Sequence, residues 1–170
     1  MRWALAIGSA LFVPQVAAEI RGEVVAIVDG DTVDVLVAKR RPIRIRLAHI
    51  DAPERAQPFG SRSRQHLASL VYRQPVRVVE EGIDRYGRAL GIVQLQRCIE
   101  PHVCVDVRNA NEEMVSAGMA WAYRFGGRPT DPRLASLEEQ ARRQRRGLWA
   151  QVRPIPPWEW RHDGALHSSN

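Results

Sequence analysis

Glu23-Val24-Val25-Ala26-Ile27-Val28, then Asp29-Gly30-Asp31, then Thr32-Val33-Asp34-Val35-Leu36-Val37 is the stretch that decides the fold. Its first six residues are rich in β-branched side chains, which favour extended backbone. Asp29-Gly30-Asp31 breaks the run, and Gly30 suits a tight turn. The second run alternates. Lys39 to Pro42 marks another turn, and Ile43-Arg44-Ile45-Arg46-Leu47 alternates strictly. Arg44 and Arg46 therefore share one face of a strand and the apolar residues share the other. Local signals alone predict a three-stranded meander.

Working outward, Gly60 to Arg73 reads as a helix, with Leu67, Leu70 and Val71 at helical spacing. Pro75 ends it. Val76-Arg77-Val78-Val79 and Ala89 to Gln96 return to strand on either side of a turn at Tyr86-Gly87. A second helix is expected from about Ala110 to Ala117, where Asn109 and Glu112 fit a capping box and Gly118 a C-terminal stop. A third is capped by Asp131, opens on Pro132, ends at Gly147 and buries Leu134, Leu137 and Ala141. Arg142, Arg143, Arg145 and Arg146 crowd its last turns and complement the helix dipole. Five strands and three helices, strands first, give an α+β, mainly β chain: a small closed barrel with helices at one side.

The chain has 170 residues, enough for one domain, and 45% of them are hydrophobic. Residues 1–18 read as a signal peptide: Met1-Arg2, an apolar run from Trp3 to Val13, and Val16-Ala17-Ala18 before Glu19. The run is shorter than a bilayer span, and no other segment is long enough to cross one. Residues 19–150 form the domain, and 151–170 a Pro/Trp-rich tail. Pro154, Pro156 and Pro157 bar a regular helix there, Trp158 and Trp160 suggest packing back on the domain, and the residues from Asp163 read as frayed. In an exported chain the two cysteines, Cys98 and Cys104, favour a disulfide with a turn at Pro101. Two thiols are too few for a zinc site. The formal net charge of +6 comes from arginine, Lys39 being the sole lysine. Arginine's planar fork matches phosphate, so a nucleic acid or another anionic surface is the expected partner.

Candidate chemistry lies in the acids and arginines between the strands. Asp31 ends a turn and Asp51 follows a strand. Two carboxylates brought close repel unless a cation lies between them, and oxygen ligands suit calcium or magnesium. Taken singly, Asp29 and Asp31 read as turn residues. Glu54, behind the rigid Pro53, is placed to act as a general base on water. Arg46 and Arg88 can stabilise the charge that builds on phosphoryl oxygens, and Arg44 reads as the solvated neighbour of Arg46.

Asp29-Gly30-Asp31-Thr32-Val33, Arg46 through Glu54, and Asp84-Arg85-Tyr86-Gly87-Arg88 together resemble the thermonuclease family, the staphylococcal nuclease-like domains. Asn111-Glu112 through Gly118-Met119-Ala120 resembles that family's late helix and glycine stop. The resemblance runs from about Arg21 to Trp149. It implies an OB-fold, a five-stranded β-barrel with three helices. It also implies calcium-dependent cleavage of DNA and RNA with little sequence preference, leaving 3′-phosphates. By the same resemblance Arg46, Glu54 and Arg88 are catalytic, and Asp31, Asp51 and the Ala52 carbonyl bind Ca2+. Arg85, Tyr86 and Tyr123 take substrate contacts. The protein would then be a periplasmic or secreted monomer, not inserted in the membrane once the signal is cleaved. The rival reading is a non-catalytic OB-fold module that binds nucleic acid without cutting it.

Overall fold

The Glu23–Leu47 region folds as an antiparallel meander. Strands β1 (Glu19–Ile27), β2 (Thr32–Leu36) and β3 (Ile43–Leu47) pair in order, with Ile27 opposite Val33 and Thr32 opposite Arg46. The computed structural model describes residues 19–38, 40–84, 86–100 and 103–167, with side chains to 162. The signal-peptide reading and Arg85 thus lie outside the described residues.

After a two-residue strand β4 (Ile50–Asp51) comes helix α1 (Gly60–Val71), then β5 (Pro75–Ile83) and β6 (Ala89–Glu100). β5 pairs with β1 on one side and β6 on the other. β3 lies parallel to β6, with Arg46 beside Leu90, and this pairing closes a ring of five strands. Val24, Val33, Val35, Ile45, Leu47, Val76, Val78 and Val93 fill its interior. The alternation read from the sequence is therefore the inward face of a barrel.

The hairpin beyond the ring was not expected. β7 (Val103–Asn109) extends the sheet next to β6 as a sixth strand, where the sequence reading had a cysteine-closed loop. Cys98 and Cys104 face each other across this pairing and are joined in a disulfide.

Helix α2 (Ala110–Ser116) follows, capped by the Asn109 side chain, which accepts from the Glu112 N–H at 3.2 Å. Three two-residue strands come next, β8 (Trp121–Ala122), β9 (Arg124–Phe125) and β10 (Arg128–Pro129). Helix α3 (Pro132–Arg143) has the predicted Asp131 cap but stops short of Gly147. Gly147 instead opens a short 3-10 turn, Gly147–Ala150. Gly118 and Gly147 both have positive φ, and a Cβ on Gly147 would strike the Gly118 carbonyl while one on Gly118 would strike the Arg146 carbonyl. Leu148 N–H donates to the Gly118 carbonyl at 2.9 Å, so the two stops form one joint.

The tail corrects the count of helices. A fourth, α4 (Pro157–His167), begins on a proline, the position where its missing N–H costs nothing, and its backbone continues through the residues expected to fray. As expected, the tail packs back: Trp158 meets Trp121 edge-on at 5.5 Å, beside Trp149, Leu148 and Ala141. Among the described residues no helix is long and apolar enough to cross a membrane.

Candidate active site

The β1–β2 turn delivers Asp31. Asp31 N–H donates to the Asp29 carboxylate at 3.1 Å, and Val28 N–H to the Thr32 carbonyl at 2.9 Å, which sets a compact turn. Gly30 is required there for a different reason than a left-handed backbone: a Cβ would collide with Ser63 on α1 and with Ala52. The turn is thus pressed against the segment that follows β4. Asp31 is buried, and its Oδ2 accepts from the Ala52 N–H at 2.8 Å.

β4 delivers Asp51. Its pairing with β8, Asp51 opposite Trp121, leaves it fully buried. Asn111 braces the approach to this strand. It is also fully buried, accepts from Val93 N–H at 3.0 Å and donates to the Ala48 carbonyl at 2.9 Å.

Arg46 reaches from β3 between the two acids. Nη1 donates to Asp31 Oδ1 at 2.6 Å, and Nη2 to Asp51 Oδ1 at 3.0 Å and to the Ile50 carbonyl at 3.3 Å. Burial pulls down the pKa of this guanidinium, but the charges of Asp31 and Asp51 outweigh that and hold it above the ordinary arginine value. Burial pushes the Asp31 carboxyl up, against the opposing pull of Arg46, and neighbouring Asp29 adds to the rise. Arg44 stays on the surface, forked onto its cross-strand partner Asp34 at 2.8 and 3.0 Å.

Glu54 lies at the rim, its side chain 40% exposed. Its N–H donates to Gln57 Oε1 at 3.0 Å, and Gln57 Nε2 donates to the Ile155 carbonyl at 2.6 Å, so the loop carrying Glu54 is stitched to the tail. A cavity of about 70 Å³ lies along this seam, lined by Pro53, Gln57, Trp121, Leu148 and Ile155 among others.

Arg161 is the residue that the sequence did not point to. From α4 it places Nη2 2.7 Å from Asp51 Oδ2, Nη1 3.2 Å from Asp51 Oδ1, and Nη1 2.6 Å from Glu54 Oε1. Its partial burial lowers its pKa, but the bonds and charge of Asp51, then of Glu54, raise it above the ordinary value. No pattern could have flagged it, because its partner Asp51 lies 110 residues away in the chain.

Arg88 is arranged separately. Arg46 is the register partner of Leu90, so Arg88 lies two residues up the adjoining strand, at the turn before β6. Its Nε donates to Asp84 Oδ2 at 2.6 Å, and its guanidinium lies over the Tyr86 ring at 5.5 Å. Tyr86 is exposed. Tyr123 is anchored beside β4 by its N–H to the His49 carbonyl at 2.8 Å, with its ring partly exposed. The expected arginine face at the end of α3 is structural in part: Arg142 lies 4.0 Å over Trp149 and pairs with Glu138.

The structure therefore gathers Asp31, Arg46, Asp51, Ala52 and Glu54 into one cluster and places Arg88 at its own turn. The donors are hard oxygens of the kind calcium takes. Guanidiniums already bridge them in pairs, Arg46 joining Asp31 to Asp51 and Arg161 joining Asp51 to Glu54. In this arrangement no group of three or more His, Cys, Asp or Glu among the described residues stands ready to hold a metal ion, because arginines stand between the acids. The donor set fits calcium by its chemistry, with guanidinium in the cation's role.

Comparison with known proteins gives a consistent result. The family model described as staphylococcal nuclease homologue matches residues 44–151. A protein of Shigella flexneri named micrococcal nuclease is 54% identical over 144 residues, which span 85% of this chain and 82% of that one. Protein ParB of Escherichia coli is 52% identical over 148 residues, 86% of this chain and 81% of that one. A protein of Escherichia coli named uncharacterized endonuclease is 44% identical over 149 residues, 88% and 90% of the two chains.

Proposed function

The chain belongs to the family of staphylococcal nuclease homologues, and from that premise we propose that it is a nuclease that hydrolyses phosphodiester bonds of DNA and RNA. In this reading it depends on calcium, has little sequence preference and works in the periplasm or the medium after residues 1–18 are removed. The observation that carries the reading is Arg46 bonded at once to two buried carboxylates, Asp31 and Asp51. Two buried acids gathered around one arginine have a desolvation cost that hydrophobic residues would avoid, so their presence points to chemistry rather than stability.

The roles are taken from the family resemblance. Asp31, Asp51 and the Ala52 carbonyl would hold calcium, which when bound supplies positive charge to the phosphate and the attacking water. Glu54, at the rim, takes a proton from water that attacks phosphorus. Arg46 and Arg88 hold the non-bridging oxygens, whose charge grows in the transition state. Arginine stays protonated at working pH, so neither serves as the proton donor. The P–O5′ bond breaks, the departing 5′ oxygen takes a proton from solvent water, and a 3′-phosphate remains. By the family resemblance, Tyr86, Tyr123 and Arg85 would contact substrate.

The test is incubation of end-labelled single-stranded DNA and RNA with the purified chain, with calcium and with a calcium chelator. The expected result is cutting with calcium alone, leaving 3′-phosphate ends. Binding without cutting in both samples would overturn the reading in favour of a non-catalytic OB-fold module.

A further inference from the structure

The tail does more than cover apolar surface. Gln57 ties the Ile155 carbonyl to the backbone N–H of Glu54, and Trp158 seats α4 against Trp121, the register partner of Asp51. Arg161 comes three residues after Trp158, on the same side of the helix. It therefore enters the acid cluster as a consequence of two anchors that themselves grip the strand of Asp51 and the loop of Glu54.

Once there, it takes what a metal ion would take. Its fork covers both oxygens of the fully buried Asp51 and one oxygen of Glu54. Fork-to-carboxylate bonds of this kind are among the stronger ones in proteins. A dication and a guanidinium at the same carboxylates also repel each other. Of the two arginines on Asp51, Arg46 is the firmer. It is 16% exposed and bonded to Asp31, Asp51 and a backbone carbonyl, whereas Arg161 is 44% exposed on the last helix. Arg161 is the one that can leave for water.

We propose that the segment 152–167 is an autoinhibitory strap, in which Arg161 competes with the divalent cation for Asp51 and Glu54. The proposal rests on the reading of those acids as the metal site and base. Docked, the strap occupies an oxygen of the base as well as the cation's ligands. Cation binding expels Arg161 and frees both together. The apparent affinity for the cation is then reduced by the fraction of molecules with the strap docked.

The experiment is calcium titration by calorimetry of the wild-type chain, Arg161→Gln and Arg143→Gln. Hydrogen exchange of the α4 amides is followed with and without calcium. Arg143, paired to Glu139 on the surface of α3, controls for loss of one positive charge. The expected result is binding at least ~tenfold tighter in Arg161→Gln alone, if the docked form dominates. Calcium should also raise exchange in α4 of the wild type. Equal or weaker binding in Arg161→Gln, or equal tightening in Arg143→Gln, would overturn the strap while leaving the metal reading intact. No calcium binding by any of the three would overturn the metal reading and the strap with it.

Discussion

Two acid–arginine clusters flank the short β4–β8 pairing, and they are built to different ends. On one side Glu138, buried on α3, accepts from Ala122 N–H at 2.7 Å, from Arg124 at 2.9 and 3.1 Å, and from Arg142 Nε at 2.9 Å. All of its donors lie within 16 residues of it in the chain. On the other side Asp51 is bonded by Arg46, which is shared with Asp31, and by Arg161, which is shared with Glu54. Glu138 is a closed joint in which one acid has its own donors. The Asp51 cluster is three acids sharing two arginines, one of them on the terminal helix. A surplus of acid over base is what a cation can enter, and the comparison separates a joint that holds the fold from a cluster that, in the proposed reading, holds a ligand.

The comparison can be broken first at the arginines. Arg46→Ala is expected to lower the cutting rate by ~10²–10³, the cost of losing a charge-stabilising donor. It should also lower the melting temperature, because two buried carboxylates lose their shared partner. Arg88→Ala should lose rate on the same scale with little change in melting, since its partner Asp84 sits with it on an exposed turn. Full activity in either variant would contradict its assignment, and steady-state rates with thermal melts of both check it.

Glu138→Ala tests the closed joint. It strands the Ala122 N–H and frees two partly exposed arginines, for a loss of about 3 kcal/mol by urea denaturation. Activity per folded molecule should be nearly unchanged well below the transition. A loss of turnover in a fully folded variant would place Glu138 in the chemistry and erase the distinction.

The smallest effect belongs to the half-buried pair of Asp84 and Arg88. Desolvation pushes the Asp84 carboxyl up, but the Arg88 N–H and guanidinium and the Tyr86 N–H outweigh it, so its pKa falls below the ordinary 3.8. The unfolded chain therefore takes up the proton first as pH falls. The contribution to stability is whole above about 3.8 and is lost as pH drops through the lower native value. Asp84→Asn should flatten this part of the acid limb in a stability–pH profile, and an unaltered limb would show that the pair contributes nothing.

The sequence rules succeeded where the determinants are local. Alternation in Thr32–Leu47 and the Asp131-Pro132 start of α3 depend on neighbours within a few residues, and both are in the structure. β7 was legible, since Val103, Val105 and Val107 alternate. Reading the Cys98–Cys104 span as a loop hid it, and the exposure of those valines shows no buried face to sharpen the signal. Glu138 does not belong to an apolar helix stripe, and one of its two neutralising arginines, Arg124, comes from another segment. α4 was obscured by its prolines, which forbid a helix through them but permit one to start at Pro157. Of the site, the five clustered residues were legible as motifs, whereas Arg161 depends on a contact made only once the barrel and tail have both folded.

The most direct test of the central claim is the cutting rate of Glu54→Gln at saturating calcium, with DNA affinity measured on the same preparation. The exchange keeps the shape of the side chain and removes its capacity to take a proton. The account predicts that the chain still binds DNA and loses most of its rate, by ~10²–10⁴ on the scale of general-base contributions. Cutting at the wild-type rate, with calcium required as before, would contradict it and move the base to another group.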